Sequence, residues 1–155
     1  MKPPDQIDHL LARLAEVPLH IAQATASLSE AEKHRAASNR GWSAAEILAH
    51  VRASDDIQAH RLYEILARDN PTLLAYDERH WAEIAGYSQA DFESSLKTYA
   101  LRRNELVRML RQVAHADWER VGIHEIKGSL SLWDVATSLA EHEEEHCRQL
   151  EVADC

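Results

Sequence analysis

The sequence has little glycine and little proline, with four of each in 155 residues. Both residue types interrupt regular helices, and the chain is rich in alanine, leucine, glutamate and arginine, so its composition favours helix over strand. Cysteine is also scarce. Cys147 and Cys155 lie close together at the end of the chain, which is no disulfide framework, and we therefore expect a reducing, cytoplasmic location.

Basic residues are outnumbered by acidic ones, 17 to 26, which gives a net charge of −9. Nucleic acids and anionic membranes bind through basic patches, so we expect neither as a partner. The chain also lacks an apolar run long enough to cross a membrane, and its first residues lack the apolar core of a signal peptide. We expect a small-molecule substrate instead.

Four long segments carry apolar residues at the spacing of one helix face. They run over about residues 5–28, 43–69, 88–113 and 131–152. Pro18 is expected to kink or split the first helix, and a short helix is expected near 77–84. The rest of 70–87 and all of 116–130 are expected to be connections. This pattern predicts an all-α fold and a single domain over 1–155.

Capping boxes mark the expected helix starts. In such a box a serine hydroxyl and an acidic side chain three positions later exchange hydrogen bonds with the backbone. Four pairs of this kind occur: Ser29 with Glu32, Ser43 with Glu46, Ser88 with Asp91, and Ser131 with Asp134. Trp42 and Ile47 flank the second pair in the positions of a hydrophobic staple, so the sequence defines the start of that helix clearly.

The last helix carries two histidines, His142 and His146, one turn apart. They continue its apolar stripe, whose other members are Leu132, Val135, Leu139 and Leu150. Buried imidazoles need hydrogen-bond partners or a metal ion, and two at neighbouring core positions are hard to satisfy by hydrogen bonds alone. We therefore favour a metal site, with a pair of hydrogen-bonded core histidines as the alternative.

With Glu143, the two histidines also match H-E-x-x-H, the pattern of zinc proteases. Those enzymes take a third ligand from further along the chain. Here only nine residues follow His146, and Glu151 would lie about 140° around the helix from it, so it cannot complete the site. A third ligand must come from upstream. His50 is the best candidate, because it lies beside the apolar stripe of the second helix among polar neighbours.

Three segments resemble motifs of the DinB-like superfamily, a group of small bacterial four-helix proteins that bind metals. They are 41–50 (GWSAAEILAH), 103–107 (RNELV) and 129–150, where H-x-x-x-H is followed by a basic residue and Q-L. The resemblance spans nearly the whole chain. It implies a four-helix bundle with up-down-down-up helix order, which the long connections at 70–87 and 116–130 would permit.

The same resemblance implies a divalent metal ion, commonly zinc or nickel, held by His50, His142 and His146. It also implies a homodimer, which is frequent in the family. Some members transfer low-molecular-weight thiols or use a thiol cofactor, and many have no assigned reaction. Three imidazoles by themselves suit zinc, nickel, iron and copper alike.

Our leading hypothesis is a metalloenzyme in which the three histidines leave one position on the ion open for water or substrate. The ion would activate water or a thiolate for attack on a small electrophile, which predicts a hydrolase or a thiol S-transferase. The alternative is a non-catalytic binding or stress-response protein that the metal stabilises. A further alternative is a metal-free bundle whose polar core residues serve dimer specificity.

The sequence does not identify the catalytic residues, and Asp55 and Arg103 are the candidates. Asp55 or Ser54, about one turn beyond His50, is placed to orient a nucleophile or a ligand imidazole. Arg103 interrupts the apolar stripe of the third helix. It would bind an anionic group of the substrate, or else pair with a carboxylate at the edge of the core.

Other polar residues near the predicted site receive lesser roles. Glu143 is offset by about 100° from His142, so we expect it beside the ligands or at the surface rather than as the catalytic base. Cys147 is expected to face away from the ligands. His80 and His124 lie in the two long connections and would reach only the mouth of a pocket, so we assign them no role.

Overall fold

The computed structural model describes residues 2–36 and 41–152, without the side chain of Val152. Within these ranges it contains six α-helices: α1 (Pro4–Ala24), α2 (Glu30–Lys33), α3 (Ala44–Ala67), α4 (Glu78–Ala85), α5 (Phe92–Leu110) and α6 (Leu132–Val152). Three strands lie in the connections: β1 (Thr72–Leu73), β2 (Val121–His124) and β3 (Gly128–Ser131). Short 3-10 helices cover Tyr87–Gln89 and His115–Glu119.

The four long helices α1, α3, α5 and α6 correspond to the four predicted segments. α1 packs against α5 and α6, and α3 packs against the same two helices. Each long helix therefore has two long neighbours, which is the arrangement of a four-helix bundle. None of the helices in the described ranges is both long and apolar enough to cross a membrane.

Hydrogen bonds confirm three of the four predicted capping boxes, those formed by Ser29 with Glu32, Ser43 with Glu46, and Ser131 with Asp134. The start of α5 differs from the prediction. Ser88 lies in a 3-10 helix, and the side chain of Asp91 accepts a hydrogen bond from the N–H of Ser94. Aspartate is itself a preferred N-cap, so α5 begins one residue after it.

α1 runs unbroken through Pro18, so the split that proline predicts does not occur. Proline lacks the N–H that would bond to the carbonyl of Leu14, one turn earlier. In this fold the Leu14 carbonyl accepts a hydrogen bond of 2.9 Å from Nη1 of Arg103 on α5. A side chain from another helix thus satisfies the backbone group that Pro18 leaves without a partner.

The two long connections contain a small sheet, and the all-α prediction is wrong in this part of the chain. β1 pairs in parallel with β2, and β2 pairs antiparallel with β3. A Cβ atom at Gly122 in β2 would lie 2.8 Å from Cγ of Leu73, so glycine permits this close approach. The strands are two to four residues long, too short for an alternating pattern to reveal them.

Buried apolar side chains form two clusters along the bundle. The first draws on the starts of α1 and α6 and on the ends of α3 and α5, and it includes Leu10, Ile65, Leu110 and Val135. The second draws on the ends of α1 and α6 and on the starts of α3 and α5, and it includes Ile21, Leu48, Phe92 and Leu150. The two clusters leave a polar layer between them, at Asp55, Arg103 and Glu143.

Candidate metal centre

Three histidine side chains converge between α3 and α6. His50 lies near the start of α3, and His142 and His146 lie one turn apart on α6. Nε2 of His142 is 3.0 Å from Nε2 of His50 and 3.1 Å from Nε2 of His146. His50 is buried and the other two are half-buried. The fold thus brings together the three residues that the sequence predicts as ligands.

A hydrogen bond to Gln149 orients the ring of His146. Nδ1 of His146 lies 3.0 Å from Oε1 of Gln149, and because that oxygen can only accept, Nδ1 carries the proton. Nε2 of His146 therefore keeps its lone pair, and this lone pair faces the other two rings. Metal-binding histidines are commonly held in this way by a hydrogen bond to their second nitrogen.

Burial keeps the three imidazoles neutral. It lowers the pKa of His50 from its ordinary value to about 3, with a further contribution from the charges that His146 and His142 would carry. Burial and the neighbouring His146 lower the pKa of His142 to about 4. Burial also lowers the pKa of His146, although its hydrogen bond to Gln149 opposes this shift. Near neutral pH the rings therefore offer lone pairs rather than positive charges.

This donor set fits a divalent ion. One ring nitrogen carries either one proton or one lone pair, so Nε2 of His142 cannot be hydrogen-bonded to both of its neighbours at once. The other nitrogen of His142, Nδ1, is buried without a hydrogen-bond partner in the described part of the chain. Tetrahedral zinc with bonds of about 2.0–2.1 Å would place its ligand nitrogens roughly 3.3 Å apart. The two distances at His142 Nε2 are close to this value, and all three nitrogens lie within 4.8 Å of one another.

Glu78 places a carboxylate over the histidines. It is the first residue of α4, a helix capped by the side chain of Asp77, and its Oε2 lies 3.8 Å from Nε2 of His50. The Glu78 side chain is about half exposed. If an ion held by the three rings bound a water molecule, a carboxylate in this position would be placed to act on it as a general base.

Two cavities meet at Glu78. The large cavity, of about 1100 Å³, is lined by Trp42, Tyr87 and His146 among other residues. The small cavity, of about 290 Å³, is lined by residues that include Arg61 and His142. Glu78 lines both, so the histidine cluster lies where a small molecule entering either cavity would reach it.

Arg103, one of the two predicted catalytic candidates, lies in a buried ion cluster. Its Nη1 and Nη2 donate to the two carboxylate oxygens of Glu143, each over 2.7 Å. Nη2 also donates to Oδ1 of Asp55 over 2.7 Å. Asp55, the other candidate, therefore pairs with Arg103. Of the two interpretations of Arg103 left open by the sequence, these contacts favour the ion pair with a core carboxylate.

Glu143, Ser54 and Cys147 surround the centre without joining the three rings. The Glu143 side chain is fully buried, and burial raises its pKa to about 7 while Arg103 holds it down. Ser54 accepts a hydrogen bond of 3.4 Å from the hydroxyl of Tyr76 and lines the small cavity. Cys147 packs in the second apolar cluster, and burial raises the pKa of its thiol to about 11, so it is no thiolate near neutral pH.

Glu78 and Gln149 are absent from the residues that the sequence predicts for the site. Glu78 belongs to a short helix in a connection, and nothing in its local pattern indicates that this helix folds over α3. Gln149 had a usable signal, since it stands three positions after His146 on the same helix face. Side chains at this spacing on a helix can contact each other, so the bond from His146 to Gln149 could be predicted from the sequence alone.

Comparison with known families gives one match over most of the chain. The model of the DinB superfamily matches residues 7–150. Among individual proteins, one from Oceanobacillus iheyensis is 22% identical over 149 residues, which cover 96% of this chain and 86% of that protein. YfiT of Bacillus subtilis is 23% identical over 120 residues, which cover 77% of this chain and 67% of YfiT. Both are named "Putative metal-dependent hydrolase".

A solved structure of YfiT has the same fold. It superposes with a TM-score of 0.92 at 21% sequence identity, covering 99% of this chain and 89% of that one. Its description is "a probable metal-dependent hydrolase with an unusual four-helix bundle topology". At this identity the likeness extends to the fold, while the chemistry of the site has to be argued from the residues of this chain.

Proposed function

This chain belongs to the DinB superfamily, and from that premise we propose that it is a metal-dependent hydrolase of a small electrophilic substrate. The observation that carries the proposal is the convergence of three neutral histidines at the meeting point of two cavities. A buried set of lone pairs with access from outside is what a catalytic metal site needs, whereas a structural site is closed. The names of the relatives agree with this activity.

The residues of the chain have separate roles in this proposal. His50, His142 and His146 hold a divalent ion, which when bound lowers the pKa of a water molecule and polarises the substrate. Gln149 fixes the proton of His146 on Nδ1 and so keeps Nε2 free. Glu78 Oε2 accepts the proton of the attacking water and can pass it to the leaving group. The two cavities bind the substrate beside these groups.

The number of protein ligands supports catalysis over the non-catalytic alternative, because an ion held by these three histidines alone would keep a position for water or substrate. In the described ranges, the group of histidine, cysteine and acidic residues that could hold an ion comprises His50, His142 and His146. Glu78 lies close to this group but is half exposed at the cavity mouth. Three protein ligands leave a place for water or substrate, as in catalytic zinc sites.

Elemental analysis of protein purified without chelators tests the proposal. We expect about one divalent ion per chain and hydrolysis of small activated esters or amides by the loaded protein. His146→Ala should lose both the ion and the hydrolysis. His80→Ala, an exposed histidine on α4, is the matched control and should keep both. A wild-type protein that contains no metal and takes up neither zinc nor nickel contradicts the proposal.

Thiol S-transfer is a second candidate reaction for the same centre. The large cavity of about 1100 Å³ has room for a low-molecular-weight thiol beside an electrophile, which supports this possibility. The same loaded protein, supplied with a thiol and an electrophilic acceptor, would then form a thioether faster than it hydrolyses the acceptor. Zinc and nickel remain the proposed ions, because three imidazoles suit both.

We also propose the up-down-down-up order for the four long helices. The distribution of the two apolar clusters supports it: the end of α1 and the start of α3 share one cluster with the start of α5 and the end of α6. Helices whose like ends share a cluster run parallel, so α3 and α5 point the same way and α1 and α6 point the other way. The homodimer and the cytoplasmic location stay predictions from the sequence.

A further inference from the structure

Arg61 is a buried guanidinium that has no acidic partner among the described residues. Arg61 is 7% exposed, and no carboxylate of the described residues forms an ion pair with its guanidinium. Arg103, the other buried arginine of the bundle, is paired with two carboxylates. A buried charge without a counter-charge is costly, so the different surroundings of these two arginines require an explanation.

The protein's own groups satisfy only part of the Arg61 guanidinium. Nη1 donates to Oε1 of Gln58 over 3.2 Å, and Nη2 donates to the carbonyl of Leu74. The ring of Tyr76 lies 5.7 Å from the guanidinium carbon, which adds a weak attraction. The Nε–H is buried and has no partner in the part of the chain that the structure describes. Arg61 therefore keeps a positive charge and an unpaired donor.

His124 adds a second donor at the same place. Its Nδ1 accepts the backbone N–H groups of Ile126 over 3.1 Å and Lys127 over 3.2 Å, so the ring proton is on Nε2. That Nε2–H lies 3.2 Å from Nη2 of Arg61, which is also a donor. Two donors cannot bond to each other. An oxygen atom that accepts from both would resolve this contact.

These donors belong to the small cavity, whose charged lining is mainly basic. Arg61, His124 and Lys127 line it together with His142 of the metal centre, and Glu78 is its acidic member. Glu125 lies nearby, but its carboxylate accepts a hydrogen bond from the backbone N–H of Ala75. An arginine, a histidine N–H and a lysine therefore line a single space of about 290 Å³.

We infer that the small cavity binds a carboxylate or phosphate group of the substrate through Arg61 and His124. The inference deepens the proposed function, because it assigns an anionic substrate to the same centre. An oxyanion would accept from the guanidinium and from His124 Nε2–H at once, which a neutral ligand does less well. With its anion there, the rest of the substrate lies along the His142 side of the cavity, next to the metal ligands.

Calorimetric titration of chelator-treated, metal-free protein with inorganic phosphate and with acetate tests this inference. We expect saturable binding of at least one of the two anions, and the anion bound more tightly identifies the group. Arg61→Gln should weaken it by about tenfold or more, since charge-assisted hydrogen bonds are lost. Arg68→Gln, an exposed arginine just after the end of α3 that lines neither of the two cavities, is the control and should bind like wild type. No binding by wild type, or equal binding by Arg61→Gln, overturns the inference.

Two further measurements keep the test independent of folding and of the metal. If Arg61→Gln does not fold, the Nε2–H signal of His124 in wild type should still shift when the anion is added, and an unchanged signal counts against the inference. His146→Ala should bind the anion like wild type, although it cannot hold the ion. The anion site and the metal centre are thus tested separately, so either proposal can fail alone.

Discussion

At the scale of single residues, the centre depends on which nitrogen of each imidazole carries a proton. His146 donates a hydrogen bond from Nδ1 to Gln149, so its Nε2 carries a lone pair. His124 accepts two backbone N–H groups at Nδ1, so its Nε2 carries the proton. One histidine therefore offers a lone pair and the other offers a donor. The local partners of each ring decide whether it suits a cation or an anion.

Replacing Gln149 with leucine tests the role of that hydrogen bond. We expect Gln149→Leu to weaken metal binding by about tenfold or more, because the ring of His146 loses the partner that fixes its proton and its orientation. Competition with a chromophoric chelator measures the affinity. Arg148→Gln, the neighbouring exposed residue, is the control and should bind like wild type. Equal affinities for Gln149→Leu and wild type would show that Gln149 has no part in the site.

The convergence of the three histidines could be predicted because its signals are local. His142 and His146 share a helix face, and His50 lies in a segment with a clear cap and a recognisable motif. Glu78, Arg61 and His124 could not be predicted in the same way. Their positions depend on how α4 and β2 fold back over the bundle, and that depends on contacts between residues far apart in the sequence.

At the scale of elements, the start of α6 shows how a cap positions a site several turns away. Ser131 donates through its N–H and its hydroxyl to Oδ2 of Asp134, over 2.9 and 2.6 Å, and the N–H of Asp134 donates back to the hydroxyl. These bonds fix the first turn of α6. Because the helix is continuous, they also fix the rotation at which His142 and His146 face α3.

The capping aspartate makes helix stability depend on pH. The hydrogen bonds from Ser131 lower the pKa of Asp134 below its ordinary value of 3.8. The ionised Asp134 therefore stabilises the fold at pH values above its pKa in the unfolded chain. This stabilisation is lost as the pH falls through the lower pKa that Asp134 has in the folded protein. Asp134→Asn should cost about 0.5–1 kcal/mol at pH 7, and this difference from wild type should shrink towards pH 3.

Urea unfolding followed by circular dichroism at several pH values measures this difference. Glu141→Gln is the control, because it removes a carboxylate from an exposed position in the middle of the same helix. Its free energy of unfolding should change little at any of these pH values. A difference between Asp134→Asn and wild type that stays constant from pH 7 to pH 3 would contradict the role given to the ionised cap.

At the scale of the whole molecule, the ion cluster of Arg103 joins all four long helices. Arg103 on α5 binds Asp55 on α3, Glu143 on α6 and the carbonyl of Leu14 on α1. The cluster lies between the two apolar clusters, where every long helix contributes a polar group. Arg103 binds Asp55 on α3 and Glu143 on α6, so it also fixes the position of these two helices relative to each other along the bundle axis. Glu143 is adjacent to His142 in the sequence.

Removing Arg103 should therefore destabilise the protein strongly. Arg103→Met leaves two buried carboxylates and one carbonyl without their partner, and we expect a loss of about 3–5 kcal/mol in the free energy of unfolding. Arg102→Met is the matched control one position away. It breaks an exposed pair with Asp56 and should cost less than about 1 kcal/mol. Similar losses for the two variants in urea unfolding would contradict the structural role of the cluster.

The sequence predicted the bundle better than its connections, for a physical reason. The apolar stripes of α1, α3, α5 and α6 repeat over many turns, and serine caps mark the starts of α3 and α6. The unbroken α1 could not be predicted, since Pro18 is tolerated through a hydrogen bond from Arg103, 89 residues from Leu14. The sheet was missed because β1 pairs with β2, and two α-helices, α4 and α5, separate these strands in the sequence.

Arg120 closes the hairpin segment, residues 121–131, at its base. Its side chain donates to the carbonyls of Ile65 and Arg68 at the end of α3, and its own carbonyl accepts the N–H of Leu132, where α6 begins. The two helices that carry the histidines are thus joined before the hairpin starts. Substitutions at His124 and Lys127, near the turn of the hairpin, would therefore leave this junction between α3 and α6 in place. The proposed anion site could thus vary in sequence without changing the three histidines.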